Sequence, residues 1–231
     1  DVFSVRVPVG VVGCITPFNF PIMIPAVMMA MAVSVGNSIV WKPSEKVPSA
    51  ALFFAELWKE AGLPDDVFNV VQGDKTAVDA LLEHPEIAAV SFVGSTQIGE
   101  YVYQKGTSHN KRVAAFTGGK NHMVVMPDAD LEAAANAFVS AGFGSASQRC
   151  MAVSLLIPVG AETADHLRQR IVEKIKALKV GAYNDPTADF GAVISAQSQQ
   201  SVLKAIDQCI ADGAELVVDS RDFKHSEYAN G

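Results

Sequence analysis

Cysteine is scarce in this sequence: Cys14, Cys150 and Cys209 are the only three among 231 residues, and no CxxC pair occurs. Three cysteines make no disulfide framework, and no Cys/His spacing suggests zinc or another metal. A reducing compartment, the cytoplasm, is the natural setting. Charge is thin as well. Charged residues make up 19% of the chain and the net charge is −7, with no basic stripe or Lys/Arg cluster. That argues against nucleic acid as the main partner. Long apolar runs are missing: the most apolar stretch, Phe20 to Val35, is about 16 residues long and is broken by Pro21 and Pro25. It is short for a membrane span, so a buried helix and no membrane partner are expected. The first residues do not read as a signal or transit peptide. His84, His109, His122, His166 and His225 have no mutual spacing that suggests catalysis or a metal site.

What is present is apolar and periodic. A hydrophobic fraction of 49% over this length is ample for a sizeable core with much buried sheet. Strand-like runs at Val11–Ile15, Ser38–Trp41, Val67–Val71, Ala88–Val93 and Arg112–Ala115 alternate with helical stretches. Those stretches are Pro21–Val35, Pro48–Ala61, Thr76–Leu82 and a helix from about Gln97. Such βα alternation predicts an α/β fold, a doubly wound parallel sheet with helices on both faces. After Gly118-Gly119 a second α/β region is expected: strand His122–Met126, helix Asp130–Phe143, strand Ser154–Pro158, helices Glu162–Leu178 and Ser198–Ala211, and strand Glu215–Val218. Val2–Val7 also reads as a strand.

Several residues suit chemistry, each with a plainer alternative. Gly94-Ser95-Thr96-Gln97-Ile98-Gly99 follows an apolar strand and opens a helix. Backbone N–H groups and the helix dipole favour a phosphate at such a start. The segment is not a GxGxxG fingerprint, and a tight turn alone would also use these glycines. Trp41-Lys42-Pro43-Ser44-Glu45 ends a strand, where doubly wound sheets bind ligands, although Lys42 and Glu45 also read as a solvated pair. In Thr16-Pro17-Phe18-Asn19-Phe20-Pro21, the Asn19 carboxamide suits an oxyanion, or simply an Asx-turn. Cys150 follows Phe143-Gly144-Ser145-Ala146-Ser147-Gln148-Arg149, small residues with a fixed cation beside the thiol. A neighbouring cation favours thiolate, whereas most lone cysteines are small buried hydrophobes. Arg149 could grip a carboxylate with two parallel bonds, or be an ordinary loop arginine. Cys14 and Cys209 read as packing residues, and Phe116 reads as the end of a core strand.

Taken in order, TPFNFP, WKPSE, FVGSTQIG, GGKNH and SQRCMAVS resemble the aldehyde dehydrogenase superfamily. GGKNHMVVMPDADLE followed by QRCMAVS resembles its CoA-acylating, methylmalonate-semialdehyde branch. The likeness runs from about Asp1 to about Ser195. It implies an NAD-binding domain at 1–117, with 1–9 as an oligomerisation strand, and a catalytic domain at 118–231. Family members extend further on both sides, so a partial chain is expected, and a homo-oligomer, dimer or tetramer, is implied. The resemblance makes Cys150 the nucleophile and pairs Asn19 with the Cys150 backbone N–H as the oxyanion donors. It sets Thr16, Pro17, Phe18, Lys42, Glu45, Gly94, Ser95 and Gly99 around NAD, with Lys42 and Glu45 on the ribose hydroxyls, and Arg149 on a substrate carboxylate. Hydrolytic members carry Glu at the position of Phe116; the acylating branch lacks it, although Asn rather than Phe is the usual replacement. With that base missing, CoA becomes the expected acyl acceptor. The rival expectations are a hydrolytic dehydrogenase using another base, and an NAD-binding fragment without turnover.

Overall fold

The computed structural model describes residues 1–225; the last six residues of the predicted second domain and of the polar stretch from Ser220 lie outside them. The chain divides into two compact units, Asp1–Gly118 and Gly119–Gly231. In the first, five parallel strands stand in the order β3-β2-β1-β4-β5: β1 Val11–Ile15, β2 Ser38–Lys42, β3 Phe68–Val70, β4 Ile87–Val93 and β5 Arg112–Phe116. Helices α1 Met23–Ser34, α2 Pro48–Glu60, α3 Lys75–Glu83 and α4 Thr96–Ser108 connect them.

Alternation along the central strand explains the double winding, because successive side chains leave opposite faces of a sheet. Cys14 enters one core with Met29 of α1, Ala51 of α2, Ile39 and Trp41. Its neighbour Ile15 enters the other, with Val78, Leu81 and Leu82 of α3, Val102 of α4, Ile87, Val90 and Phe92. Around Trp41 the first core is aromatic. Phe68 stacks on Trp58 at 5.7 Å and meets Trp41 edge-on at 6.0 Å, geometries that add to simple burial.

The second unit is built on a parallel pair, β6 Asn121–Val125 and β7 Val153–Pro158, covered by α5 Leu131–Phe143 and α6 Ala161–Ala177, with α7 Ala196–Ala211 following. Asp130 caps α5 by accepting from the N–H groups of Glu132 and Ala133. Val125, Ala134, Ala135, Val139, Leu167 and Ile171 form the core of this unit.

Three expectations need correction. Residues 2–7 form no strand, and Val2, Phe3, Val5 and Val7 are exposed. Glu215–Val218 forms none either; Leu216 and Val217 line an apolar groove beside α6 instead. Both segments have strand-like composition but no neighbouring strand, and β-propensity expresses cross-strand packing rather than a backbone preference. Cys209 lies exposed on α7, whereas Cys14 is fully buried as a packing residue.

Candidate active site

The order of the first sheet reverses between β1 and β4, and ligands of open α/β sheets bind beyond the carboxyl ends of strands at such a switch. A cavity of about 590 Å³ opens there. Thr16, Pro17 and Phe18 after β1, Lys42 and Glu45 after β2, and Gly94 and Ser95 after β4 all line it. Residues up to 79 positions apart in the sequence thus meet because three parallel strands end side by side.

Each wall of this cavity is held from behind. Thr16, 4% exposed, accepts the Trp41 indole N–H through Oγ1 at 2.8 Å and donates its backbone N–H to the Lys42 carbonyl. The Lys42 ammonium is buried, donating to Glu45 Oε2 at 3.2 Å and to the Gly73 carbonyl at 3.0 Å. Burial works against ionised Glu45, yet its own backbone N–H and the Lys42 ammonium hold the carboxyl below its usual range. Lys42 is therefore a buried, engaged end, while Glu45 keeps one oxygen on it with its side chain 55% exposed.

Gly94 donates its N–H to the Phe116 carbonyl at 3.1 Å, and Ser95 occupies the cap position of α4 without using its hydroxyl there. That hydroxyl, with the first N–H groups of α4, is available to an anion. Both glycines answer to packing. A Cβ on Gly94 would overlap Cζ of buried Phe92 and lie 3.1 Å from its Cε1; one on Gly99 would overlap the Thr117 methyl. Gly94→Ala should lower stability by about 1–3 kcal/mol, the range for overpacking a filled site. A thermal melt checks this, and an unchanged midpoint would mean that Phe92 has room to withdraw.

Sequence reasoning missed Asp74, Lys75 and Tyr101, which complete the cavity wall. Lys75 Nζ donates to Asp79 Oδ2 at 2.6 Å and to the Tyr101 hydroxyl at 2.7 Å, and Lys105 Nζ joins Asp79 at 3.0 Å. The available signal was Gly73-Asp74 before a helical stretch, a turn and an N-cap; Asp74 accepts from the Thr76 N–H at 2.9 Å.

Asn19 lies half-buried in the bend after β1, in the first unit, and Cys150 lies in the second. Cys150 is exposed, following a 3₁₀ turn at Gly144–Ser147. Ser145, Ala146 and Ser147 have φ of 57°, 50° and 61°. Three consecutive left-handed non-glycine residues cost roughly 1–2 kcal/mol each, so contacts elsewhere must hold this loop. Two carboxamides do so. Gln148 accepts the Ile194 N–H at 2.9 Å, and Asn121 Nδ2 donates at 2.9 Å to the carbonyls of both Cys150 and Ala152. Asn121 was visible in GGKNH but carried no assigned role.

Arg149 folds back over Gly144, where an added Cβ would lie 2.6 Å from its Nη2. It lines a second cavity, about 420 Å³, with Ser140, Lys174 and Asp189, and makes no ion pair among the described residues. Phe116 ends β5 but is 61% exposed, because β5 is an edge strand with one open face. The expectation of a core strand end is corrected accordingly.

The aldehyde dehydrogenase family profile matches residues 1–231. A malonate-semialdehyde dehydrogenase of Pseudomonas aeruginosa is 51% identical over all of this chain, which spans 46% of that protein. The Bos taurus mitochondrial protein named methylmalonate-semialdehyde/malonate-semialdehyde dehydrogenase [acylating] is 46% identical, again over the whole chain and 43% of its own length. A crystal structure from Sinorhizobium meliloti, of a protein provisionally assigned as a methylmalonate-semialdehyde dehydrogenase and complexed with NAD, superposes with a TM-score of 0.96. It is 53% identical, covering 98% of this chain and 46% of that one. The chain thus spans under half the length of the relatives it matches. With the family profile matched over the whole of this chain and the fold shared with that crystal structure, the chain belongs to the aldehyde dehydrogenase family.

Proposed function

We propose that this chain carries the cofactor and nucleophile centres of an NAD-dependent, CoA-acylating semialdehyde dehydrogenase acting on malonate or methylmalonate semialdehyde. The observation that carries the cofactor part is the switch-point cavity. Its size and the uncommitted Ser95 hydroxyl at a helix start suit a dinucleotide. When bound, NAD supplies the hydride acceptor. Ser95 and the α4 N–H groups take the pyrophosphate, and Lys42 and Glu45 take the ribose hydroxyls.

The chemistry of the chain's own residues follows from an exposed thiol on a clamped loop. The Cys150 thiolate attacks the aldehyde carbon, and the Asn19 carboxamide with the Cys150 N–H stabilises the oxyanion. Hydride leaves the same carbon, so the substrate is oxidised and a thioester remains on Cys150. Arg149, which makes no ion pair among the described residues, holds the distal carboxylate. Without a carboxylate at position 116 to activate water, the thiol of CoA displaces Cys150. The substrate's β-carboxylate departs as CO₂ and the α-carbon gains a proton in its place, balanced by the one the CoA thiol gives up, so semialdehyde, NAD⁺ and CoA yield acyl-CoA, CO₂ and NADH. The relatives named for these semialdehydes, one of them as acylating, support this reading. Three free cysteines favour a reducing compartment, the cytoplasm, and the apolar exposed segment 2–7 favours a homo-oligomer. Among the described residues no helix is long and apolar enough to cross a membrane.

Cofactor choice provides one test. Glu45 accepts from a free 2′-hydroxyl and repels a 2′-phosphate, while Lys42, Lys46 and Lys75 on the same wall would attract one. Glu45 should decide in favour of NAD. Titration by quenching of tryptophan fluorescence should show NAD binding the full-length protein more tightly than NADP, and Glu45→Ala should weaken NAD by about 1–3 kcal/mol. Equal or tighter NADP binding by the unmutated protein would remove Glu45 from the ribose. Product analysis with CoA present tests the rest: acyl-CoA is expected, and free acid would indicate a hydrolytic enzyme.

A further inference from the structure

The structure assigns Asn121 as a positioning residue for the Cys150 loop, an inference that rests on the proposed role of Cys150. Asn121 is the first residue of β6 and pairs with Val153, the first residue of β7, just before the register shifts. The ladder begins at this pair, and among the described residues the chain before Val153 has no strand beside it to bond. The Asn121 side chain fills that role. Its single Nδ2 donates both hydrogens, one to the Cys150 carbonyl and one to the Ala152 carbonyl, each at 2.9 Å. The opposite amide orientation would set Oδ1 against two carbonyl oxygens, so the bonding pattern itself fixes which atom faces the loop.

The two acceptors flank Met151, which is 81% exposed. Nothing about Met151 itself anchors this stretch, so the carboxamide sets the path of the chain on both sides of it. Upstream, the strained left-handed run ends at Ser147, and Gln148 after it is tied to the Ile194 N–H. Cys150 therefore stands between two carboxamide tethers, and the direction of its Cα–Cβ bond depends on the downstream one. A thiol that must meet a carbonyl carbon along a narrow approach needs that direction preset. Asparagine is suited to the task because aspartate has no hydrogen to donate and serine has only one.

Three substitutions in the full-length protein, Asn121→Ser, Asn121→Ala and Asn121→Asp, test the assignment through two readouts. Peptide-resolved hydrogen exchange over residues 144–153 needs no turnover. The Ala152 N–H, bonded to the Arg149 carbonyl at 3.1 Å, should exchange at least about tenfold faster in the Ala and Asp variants and by an intermediate factor in Ser. The rate of the first NADH turnover at saturating aldehyde should fall in the same order, by about tenfold or more in Ala, with the Kd for NAD unchanged. Unchanged loop exchange in the Ala variant would overturn the assignment. So would equal losses in Ser and Ala accompanied by weaker NAD binding, because that pattern describes general damage to the fold. If the unmutated protein oxidises no semialdehyde, the proposed function falls on its own, and hydrogen exchange alone decides the tether.

Discussion

Mixed with semialdehyde and NAD but no CoA, the full-length protein should release NADH as a burst of about one equivalent per Cys150 and then slow, the kinetic mark of an accumulating acyl-enzyme. Addition of CoA should restore steady turnover and yield acyl-CoA. The expectation rests on Phe116, since a phenyl ring can neither accept a proton from water nor orient it. Returning a carboxylate with Phe116→Glu should raise CoA-independent release of free acid by about 10²-fold or more, the range of a positioned general base. Its stability cost should be small. Phe116 is 61% exposed, and surface substitutions of this kind usually fall within about 0.5 kcal/mol. The experiment can therefore be read without a folding defect in the way. Rapid release of free acid by the unmutated protein without CoA would show that another base serves, and the acylating assignment would be withdrawn.

Replacing Cys150 by serine should reduce aldehyde oxidation at least about 10³-fold, or ~4 kcal/mol of barrier, while leaving NAD affinity unchanged. A neutral hydroxyl is a far weaker nucleophile than a thiolate, and every proposed cofactor contact lies in the other unit. Iodoacetamide supplies the control. Cys14 is fully buried and its thiol is pushed up to about 12 by desolvation, so it should stay unmodified in the folded protein. Cys209 is exposed on α7 and will react as an accessible thiol does. Activity should be lost in step with modification of Cys150, followed by peptide mass spectrometry. Loss that tracks Cys209 instead would transfer the nucleophile's role, as would a Cys150→Ser protein that retains its rate.

The α/β class and most elements were legible because their signals are local. Apolar runs of four to seven residues bounded by Gly, Pro and Asn mark β1, β2 and β4, and Asp130 before an alanine-rich stretch marks α5. Cys150, Asn19 and the Gly94–Gly99 turn were legible as residue types in short motifs, and the family resemblance supplied their proposed roles. Where strand composition met no partner, at 2–7 and 215–218, local reading failed, because pairing is a property of two segments and not of one.

By itself, then, the sequence determined the alternation of strand and helix, the family, and the identity of the residues available for chemistry, since each depends on composition and spacing along the chain. Only the tertiary structure decided which residues share a cavity and which groups are already spoken for. It brought Asp74, Lys75 and Tyr101 to the wall of the switch-point cavity, engaged Lys42 with Glu45, left Phe116 on an open edge, exposed Cys209 while burying Cys14, and set Asn121 across from the Cys150 carbonyl. The physical reason is common to all five. Sheet order and register bring distant segments side by side, and the burial and hydrogen bonds that follow belong to the neighbours a residue acquires, which its place in the chain does not specify.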